Sequence, residues 1–340
     1  MAIILGIEST AHTFGIGVVQ NGEILANVKD SFSTADGGGG MIPMEVAKHH
    51  VAVKDKIYAR ALEESGINEK NIDAIAFSQG PGLAPCLLEG IKFAKELSLR
   101  LKKPLVGVNH CVAHLEVGKI TGAKDPVLLY ASGANTQVIA YASGKYRIFG
   151  ETLDIGVGNF IDSFARCAGI GFPGGPKIEQ YAKSLGVKYI ELPYTVKGMD
   201  VAFSGMLTNL KQKLESKKYS VEDLSYSMQE TVFAMLVEVS ERALAHVGKN
   251  ELLLGGGVAC NSRLQEMCRI MCGEREDYSG KGKTKFFCPE KSLLVDNGAM
   301  IAFLGEIMYK KNANTFSYKE LGKVDILPKQ RTDDINVTWR

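Results

Sequence analysis

Residues 3–29, IILGIESTAHTFGIGVVQNGEILANVK, and residues 127–151, VLLYASGANTQVIAYASGKYRIFGE, decide the fold. Each stretch divides into three short segments rich in β-branched residues: 3–9, 14–20 and 23–29 in the first, 127–132, 137–142 and 146–151 in the second. Asn21-Gly22 and Ser143-Gly144 supply two-residue turns of the kind that close hairpins. Ser9 and Thr13 stand four apart after the first segment of one set, and Ser132 and Thr136 stand four apart in the other. Two three-stranded meanders with matching punctuation predict a duplicated unit.

The segments after each meander extend the match. Behind the first come a helical pattern at 45–64, a strand at 72–78, the loop Gln79-Gly80-Pro81-Gly82, a helix to about Leu101, and a strand at 105–108 that runs straight into His110. Behind the second come a turn-rich loop at 169–175, a long amphipathic helix at 221–246, an apolar strand at 251–254 ended by Gly255-Gly256-Gly257, and a helix beginning near Asn261. A last helix covers about 296–310. The reading is an α/β chain with a first lobe at 1–125, onto which a helix at 296–312 packs back, and a second lobe at 126–295. Beyond Asn312 the sequence turns polar and basic, and a flexible or partner-bound tail is expected at 313–340.

The 340 residues suffice for two lobes, since single cores seldom outgrow about 250–300 residues. No apolar run approaches the roughly 18 residues of a membrane span, and the N-terminus lacks a basic-then-apolar leader. The seven cysteines are odd in number, scattered and without a CxxC pair, which fits reduced thiols better than disulfides or a zinc ribbon. A cytoplasmic protein without a membrane partner is expected. A net charge of +2 is too small to argue for or against nucleic acid. Basic clusters occur at Lys48, Lys54 and Lys56, at Lys92, Lys95, Arg100, Lys102 and Lys103, and at Lys211, Lys213, Lys217 and Lys218; they read first as solvated helix faces.

His110 and His114 carry the strongest chemical signal. On a helix, i and i+4 place both imidazoles on one face, one turn apart, where two nitrogens reach one ion. The pair directly follows a strand end, where ligand sites in α/β folds favour the cleft. Two ligands are too few, and Asp296 is one carboxylate that could complete the set, although spacing does not select it. Cys111 stands where H-E-x-x-H metalloproteases need their glutamate, which argues against a protease. The glycine run 255–257 ahead of a helix lets a flat base or ribose approach the main chain. Neither a P-loop nor a dinucleotide fingerprint is present. The hydroxyl-rich turns at Ser9-Thr10-Thr13 and Ser132-Asn135-Thr136 suit phosphate. Asp162, in a helix that Asn159 begins, and Glu179, one turn beyond Gly174-Gly175-Pro176, suit ribose hydroxyls. No residue stands out as a general base, so the catalytic residues are unknown from the sequence.

Taken together, GIEST at 6–10, GPGL at 80–83, VNHCVAHLE at 108–116, YASGANTQ at 130–137, GNFIDSFAR at 158–166, PGGPKIE at 173–179, FSGM at 203–206, GGGVACNSRL at 255–264 and DNGAMIA at 296–302 closely resemble the universal tRNA threonylcarbamoyladenosine transferases, formerly called O-sialoglycoprotein endopeptidases. The match runs in family order from about residue 3 to 310. GGGGMIP at 37–43 and KGMDVAFSG at 197–205 look like the archaeal and eukaryotic branch, the catalytic subunit of the KEOPS complex. The resemblance implies an actin/sugar-kinase/heat-shock-ATPase type fold, with two RNase-H-like lobes around a nucleotide cleft. It implies one divalent metal ion, iron favoured over zinc or manganese, held by His110, His114, Asp296 and Tyr130. It implies that threonylcarbamoyl-AMP lies against Tyr130, Ala131, Ser132, Gly133, Ala134, Asp162, Gly175, Glu179 and Asn261. Ala131 and Ala134 stand where the family more often has valine and glycine. The implied reaction passes the threonylcarbamoyl group to the exocyclic amine of the adenosine beside the anticodon, in tRNAs that read codons starting with A, and releases AMP. The implied partners are tRNA, a small kinase-like ATPase and a small dimerising subunit. A phosphotransferase or ATPase of the same fold is the alternative, although such enzymes lack a histidine pair over the cleft.

Overall fold

The computed structural model describes residues 2–33, 42–277, 280 and 282–340, so most of the GGGGMIP stretch lies outside the described residues. Strands β1 (Ile3–Glu8), β2 (Thr13–Gln20) and β3 (Glu23–Ser31) form the first antiparallel meander. Helix α1 (Pro43–Ser65), strand β4 (Ala74–Gly80), helix α2 (Ala84–Leu101), strand β5 (Leu105–Asn109) and helix α3 (His110–Val117) come next. The second meander is β6 (Val127–Ala131), β7 (Thr136–Ala142) and β8 (Lys145–Glu151). After it stand α4 (Val157–Cys167), α5 (Gly174–Ala182), the short ribbon β9 (Val196–Lys197) and β10 (Asp200–Val201), α6 (Ser204–Glu215) and α7 (Val221–Val247). The chain then forms β11 (Glu251–Gly255), α8 (Ser262–Glu274), β12 (Lys285–Phe287), α9 (Lys291–Leu294), α10 (Gly298–Lys310) and β13 (Thr315–Phe316).

The duplication is explicit in the strand order. One sheet runs β3-β2-β1-β4-β5, the other β8-β7-β6-β11-β12, and β13 adds an antiparallel edge to the first. In each sheet the first strand of the meander pairs in parallel with the next strand in order, which pairs in parallel with the last. Helices lie against both sheets, and α7 supplies much of the apolar packing around the second. Helix α10 packs on β1 and β2 at close range: a Cβ on Gly17 would sit 2.3 Å from the Ala299 nitrogen. Glycine there lets the helix axis approach the sheet closely enough to bring its N-terminal end to the cleft.

Three local expectations need correction. The amides expected to start a helix at Asn159 are already in use: helix α4 starts two residues earlier because Val157 N donates to Thr136 Oγ1 (2.8 Å), while Gly158 and Asn159 donate to the Ser132 and Gly133 carbonyls at 3.0 and 2.9 Å. Gly174-Gly175-Pro176 is not loop but the first turn of α5, where proline's missing N–H costs nothing. The C-terminal stretch, expected as a flexible or partner-bound tail, lies packed on the body of the chain. Leu327 N donates to the Gln79 carbonyl (2.7 Å), Gln79 Nε2 donates to the Asp325 carbonyl (2.8 Å), and Trp339 is buried against Tyr146. Arg340 pairs with the fully buried Glu116 at 3.0 Å and with Asp125 at 3.1 Å. Its polar composition hides a few spaced anchors, Val324 and Trp339 among them, that bind the stretch across both sheets.

Candidate metal centre and nucleotide cleft

Four separate elements converge beside α3. Asn109 caps that helix, its side chain accepting from Val112 N at 3.1 Å, so the turn carrying His110 is fixed as the chain leaves β5. His110 and His114 then project from one face with ring centroids 4.9 Å apart. Asp296, two residues ahead of α10, places Oδ1 3.4 Å from Nε2 of both histidines, and one ligand atom from each of the three residues lies within 4.8 Å of the others. Tyr130, at the end of β6, brings its hydroxyl to 3.0 Å from His110 Nε2. All four residues are buried or nearly so.

Two observations test whether this cluster fits a metal ion. Both ring nitrogens of His114 are buried and make no hydrogen bond among the described residues, an arrangement that costs desolvation without return unless something else fills the coordination. The 3.4 Å spacings are long for hydrogen bonds but match donors on a common centre. Ligands about 2.1 Å from one tetrahedral ion stand about 3.4 Å from each other. The site fits.

Glu8, at the end of β1, completes it from behind. Its Oε2 faces His110 Nδ1 at 3.0 Å, and its Oε1 accepts from Thr10 N at 2.7 Å and from the Thr10 hydroxyl. A carboxylate only accepts, so Nδ1 carries a proton, and Nε2, 3.4 Å from Asp296 Oδ1, would be the atom that gives its lone pair to a bound ion. Burial disfavours the charged His110 ring, but the fields of Tyr130, Glu8 and Asp296 outweigh it and hold His110 well above the usual histidine range. Burial likewise works against the Asp296 charge, and the two imidazoles more than offset it, leaving that carboxyl well below its usual range. Burial, joined by the charge of His110, keeps His114 below its usual value.

The residues expected around the nucleotide group into a second patch. The turn Ala131–Ala134 abuts the N-terminal end of α4, and Gly133 and Ala134 are exposed to the cleft. Gly256 lies against that turn in a backbone conformation (φ +88°) reserved for glycine; a Cβ there would fall 2.4 Å from the Ala131 oxygen. Asp162 Oδ1 accepts from Gly174 N at 2.8 Å, and burial pushes its carboxyl up against the pull of that amide, Arg166 and His12. Glu179 Oε1 accepts from Ser262 N (3.1 Å) and Lys183 Nζ (2.7 Å); these partners outweigh burial and lower its pKa. Asn261 caps α8 and donates to Gln229 at 2.9 Å. Gly175 and Asn261 line one slot with Gln229 and the apolar Ile161, Ile178, Met228, Val232 and Phe233. The space between them is about 10 Å³, one water's worth, so the residues touch rather than enclose a base-sized slot.

Sequence reading missed Glu8, although it lies inside the GIEST motif, and missed Gln229 altogether. The first has a signal only once strand order is known: β1 and β5 both flank β4, so the ends of both strands open on the same cleft.

Two duplicated sheets closing on a buried His-His-Asp cluster define a member of the actin-like fold class with a candidate metal site. The chain of the HypF protein of T. kodakarensis superposes with a TM-score of 0.63 at 15% identity, covering 91% of this chain and 48% of that one, a likeness of fold alone. Residues 23–303 match the family described as TsaD, tRNA N6-adenosine threonylcarbamoyltransferase. The protein of that name from Thermococcus sibiricus is 53% identical over 337 residues, 99% of this chain and 100% of its own. A probable bifunctional tRNA threonylcarbamoyladenosine biosynthesis protein from Methanosarcina barkeri is 51% identical over 340 residues, 99% of this chain but 59% of the larger protein. The chain belongs to the tRNA N6-adenosine threonylcarbamoyltransferase family, and tRNA is the substrate of that family. Among the described residues no helix is long and apolar enough to cross a membrane.

Proposed function

We propose that this transferase takes its acyl group from threonylcarbamoyl-AMP and delivers it to the exocyclic amine of the adenosine beside the anticodon, in tRNAs that read codons starting with A, releasing AMP. The observation that carries the reading is the buried His110, His114 and Asp296 cluster, which Tyr130 links to the exposed turn at Gly133 and Ala134. In this reading Asp162 and Glu179 hold ribose hydroxyls. The exposed turn at Gly133 and Ala134, with Tyr130, Ala131 and Ser132, meets the phosphate. His110, His114, Asp296 and Tyr130 hold one divalent ion. Their mixed nitrogen and oxygen donors suit iron, our preferred ion, and also zinc or manganese. When bound, the ion supplies Lewis acidity to the anhydride oxygens and offsets charge on the departing phosphate. The chain's own residues orient the donor: Gly175 and Asn261 meet the base, the carboxylates hold the ribose, and the acyl carbon is thereby aligned with the weakly basic amine, whose proton is lost to solvent as AMP leaves. We assign no general base. The two lobes, 1–125 with 296–312 and 126–295, form the walls of this cleft.

We further read the protein as a cytoplasmic subunit of the KEOPS complex, working with a small kinase-like ATPase and a small dimerising protein. A net charge of +2 is meagre for gripping a polyanion. Part of the first two basic clusters is also spent internally, since Lys48 pairs with Glu45, Lys54 with Glu96 and Lys92 with Glu89. The helices around Lys48–Lys56 and Lys92–Lys103 are our candidates for a partner or tRNA face, with Lys56, Lys102 and Lys103 outside these pairs. The longer M. barkeri protein, named as bifunctional, supports a second activity working beside this one.

Calorimetry with AMP and with threonylcarbamoyl-AMP tests the donor site. Asp162→Ala and Glu179→Ala are each expected to weaken binding by roughly ten- to hundredfold, the worth of about 1.5–3 kcal/mol for a charged hydrogen bond. Wild-type affinity in both variants would remove these residues from the site. Nucleoside analysis of tRNA incubated with the chain and the adenylate, with and without the partner subunits, tests partner dependence. Full turnover by the isolated chain would refute it.

A further inference from the structure

Strand β3 presents Asn27 and Lys29, two residues apart and so on one face, to the turn between α9 and α10. Lys29 Nζ lies 3.5 Å from the Ser292 carbonyl and 3.5 Å from the Asp296 carbonyl. Both contacts are at the outer limit for hydrogen bonds of a group that has three protons to donate. No carboxylate lies within ion-pair distance of this half-buried ammonium group among the described residues; burial lowers its pKa and the field of Asp296 opposes that, since it sits beside the backbone of this candidate metal ligand. The turn does not need it. Asn27 also reaches the Ser292 carbonyl, Asn297 Nδ2 donates to the Leu293 and Val295 carbonyls at 3.3 and 2.8 Å, and Asn297 Oδ1 caps α10 by accepting from Met300 N at 2.9 Å.

Burial pushes the Cys260 thiol up, and the charges of Lys291 and Lys29 pull it back. Charge counting gives this position a purpose. Glu8 and Asp296 together neutralise a divalent ion, and Lys183 already pairs with Glu179. A donor with a phosphate and a carboxylate would bring further negative charge to a centre whose ion is already neutralised, and Lys29, beside Asp296, is a cation placed to meet it.

We propose that Lys29 is an anion-binding residue of the donor site, its ammonium group receiving an anionic oxygen of the acyl-adenylate, from either the phosphate or the carboxylate of the threonyl end. The proposal rests on the reading of threonylcarbamoyl-AMP as the donor. Lys29 touches the substrate and moves no proton.

The test uses the full chain loaded with its metal and three probes in calorimetry: AMP, threonylcarbamoyl-AMP, and the same adenylate made from threoninol, which lacks the carboxylate. Lys29→Met is expected to bind threonylcarbamoyl-AMP roughly ten- to hundredfold more weakly than wild type, and Lys29→Arg to keep most of the affinity. A loss shared by all three probes identifies the phosphate. A loss seen with threonylcarbamoyl-AMP and absent with AMP and the threoninol compound identifies the carboxylate. Metal content and melting temperature, read on the same samples, are expected to match wild type. Equal binding of all probes by Lys29→Met would overturn the proposal, and so would a variant that loses its metal, because Lys29 would then only brace the Asp296 turn. Wild-type protein that binds no adenylate would overturn the donor reading and this proposal with it.

Discussion

Replacing Glu8 by glutamine removes one charge and leaves the side chain's shape, yet the site cannot absorb it. Glu8 accepts on both oxygens, from Thr10 N at 2.7 Å on Oε1 and from His110 Nδ1 at 3.0 Å on Oε2. Glutamine has one oxygen and one NH2 group for those two places. If the oxygen faces His110, the NH2 meets the Thr10 N–H, and two buried donors confront each other at a cost of about 1–3 kcal/mol. If the NH2 faces His110, Nδ1 must become the acceptor. The proton then moves to Nε2, where the lone pair is needed. Either way the ligand set weakens. Losing a partner behind a metal-bound histidine typically costs 10–100-fold in affinity, or about 1.4–2.7 kcal/mol. Chelator competition on purified wild-type and Glu8→Gln protein measures this directly, with His114→Ala as the reference for outright loss of a ligand. Glu8→Asp is one methylene too short to span both contacts and is expected to fall alongside glutamine. Glu8→Gln protein that holds its ion as tightly as wild type, while His114→Ala releases it, would refute the tautomer argument.

Three further outcomes are expected away from the ligands. His50 is fully buried with neither ring nitrogen hydrogen-bonded; burial first, then the charges of His49 and His12, bring its pKa down to about 4. Because the unfolded chain takes up this proton near pH 6.5 and the folded one does not, its contribution is full above that pH and falls by at most about 3 kcal/mol toward pH 4. Urea unfolding of wild type and His50→Phe across that window is expected to show the shallower pH slope in the variant. Gly256→Ala places a Cβ 2.4 Å from the Ala131 oxygen in a glycine-only conformation; a stability loss of at least about 1–3 kcal/mol and weaker AMP binding are expected, and wild-type values for both would show that the turn yields freely. Arg340→Ala takes one partner from the buried Glu116, which keeps Tyr146 and Lys119; a loss of about 1–3 kcal/mol in denaturant unfolding is expected, and no change would mean the C-terminal stretch is not an anchor.

Local features were legible in the sequence because their causes are local. A two-residue turn sets the twist and register of its hairpin, so both meanders could be read from Asn21-Gly22 and Ser143-Gly144. The i, i+4 spacing of His110 and His114 is a property of one helix, and the family motifs spread along the chain carry the identity. Spacing could not select which distant residues meet. Asp296 joins the histidines because glycines such as Gly17 let α10 settle closely on the first sheet. Glu8 reaches His110 because strand order sets β1 and β5 on either side of β4, and hydrophobic alternation, which fixes only the face of each strand, says nothing about that order. The C-terminal stretch looked free because its average composition is polar, yet a few anchors at wide spacing bind it, and no periodicity registers contacts made one at a time. Lys29 read as one more strand residue until the fold set it against the Asp296 turn. The sequence determined the elements and the chemistry available to them; the tertiary structure alone decided which side chains face one another, because that depends on strand order and packing distance rather than on any repeat along the chain.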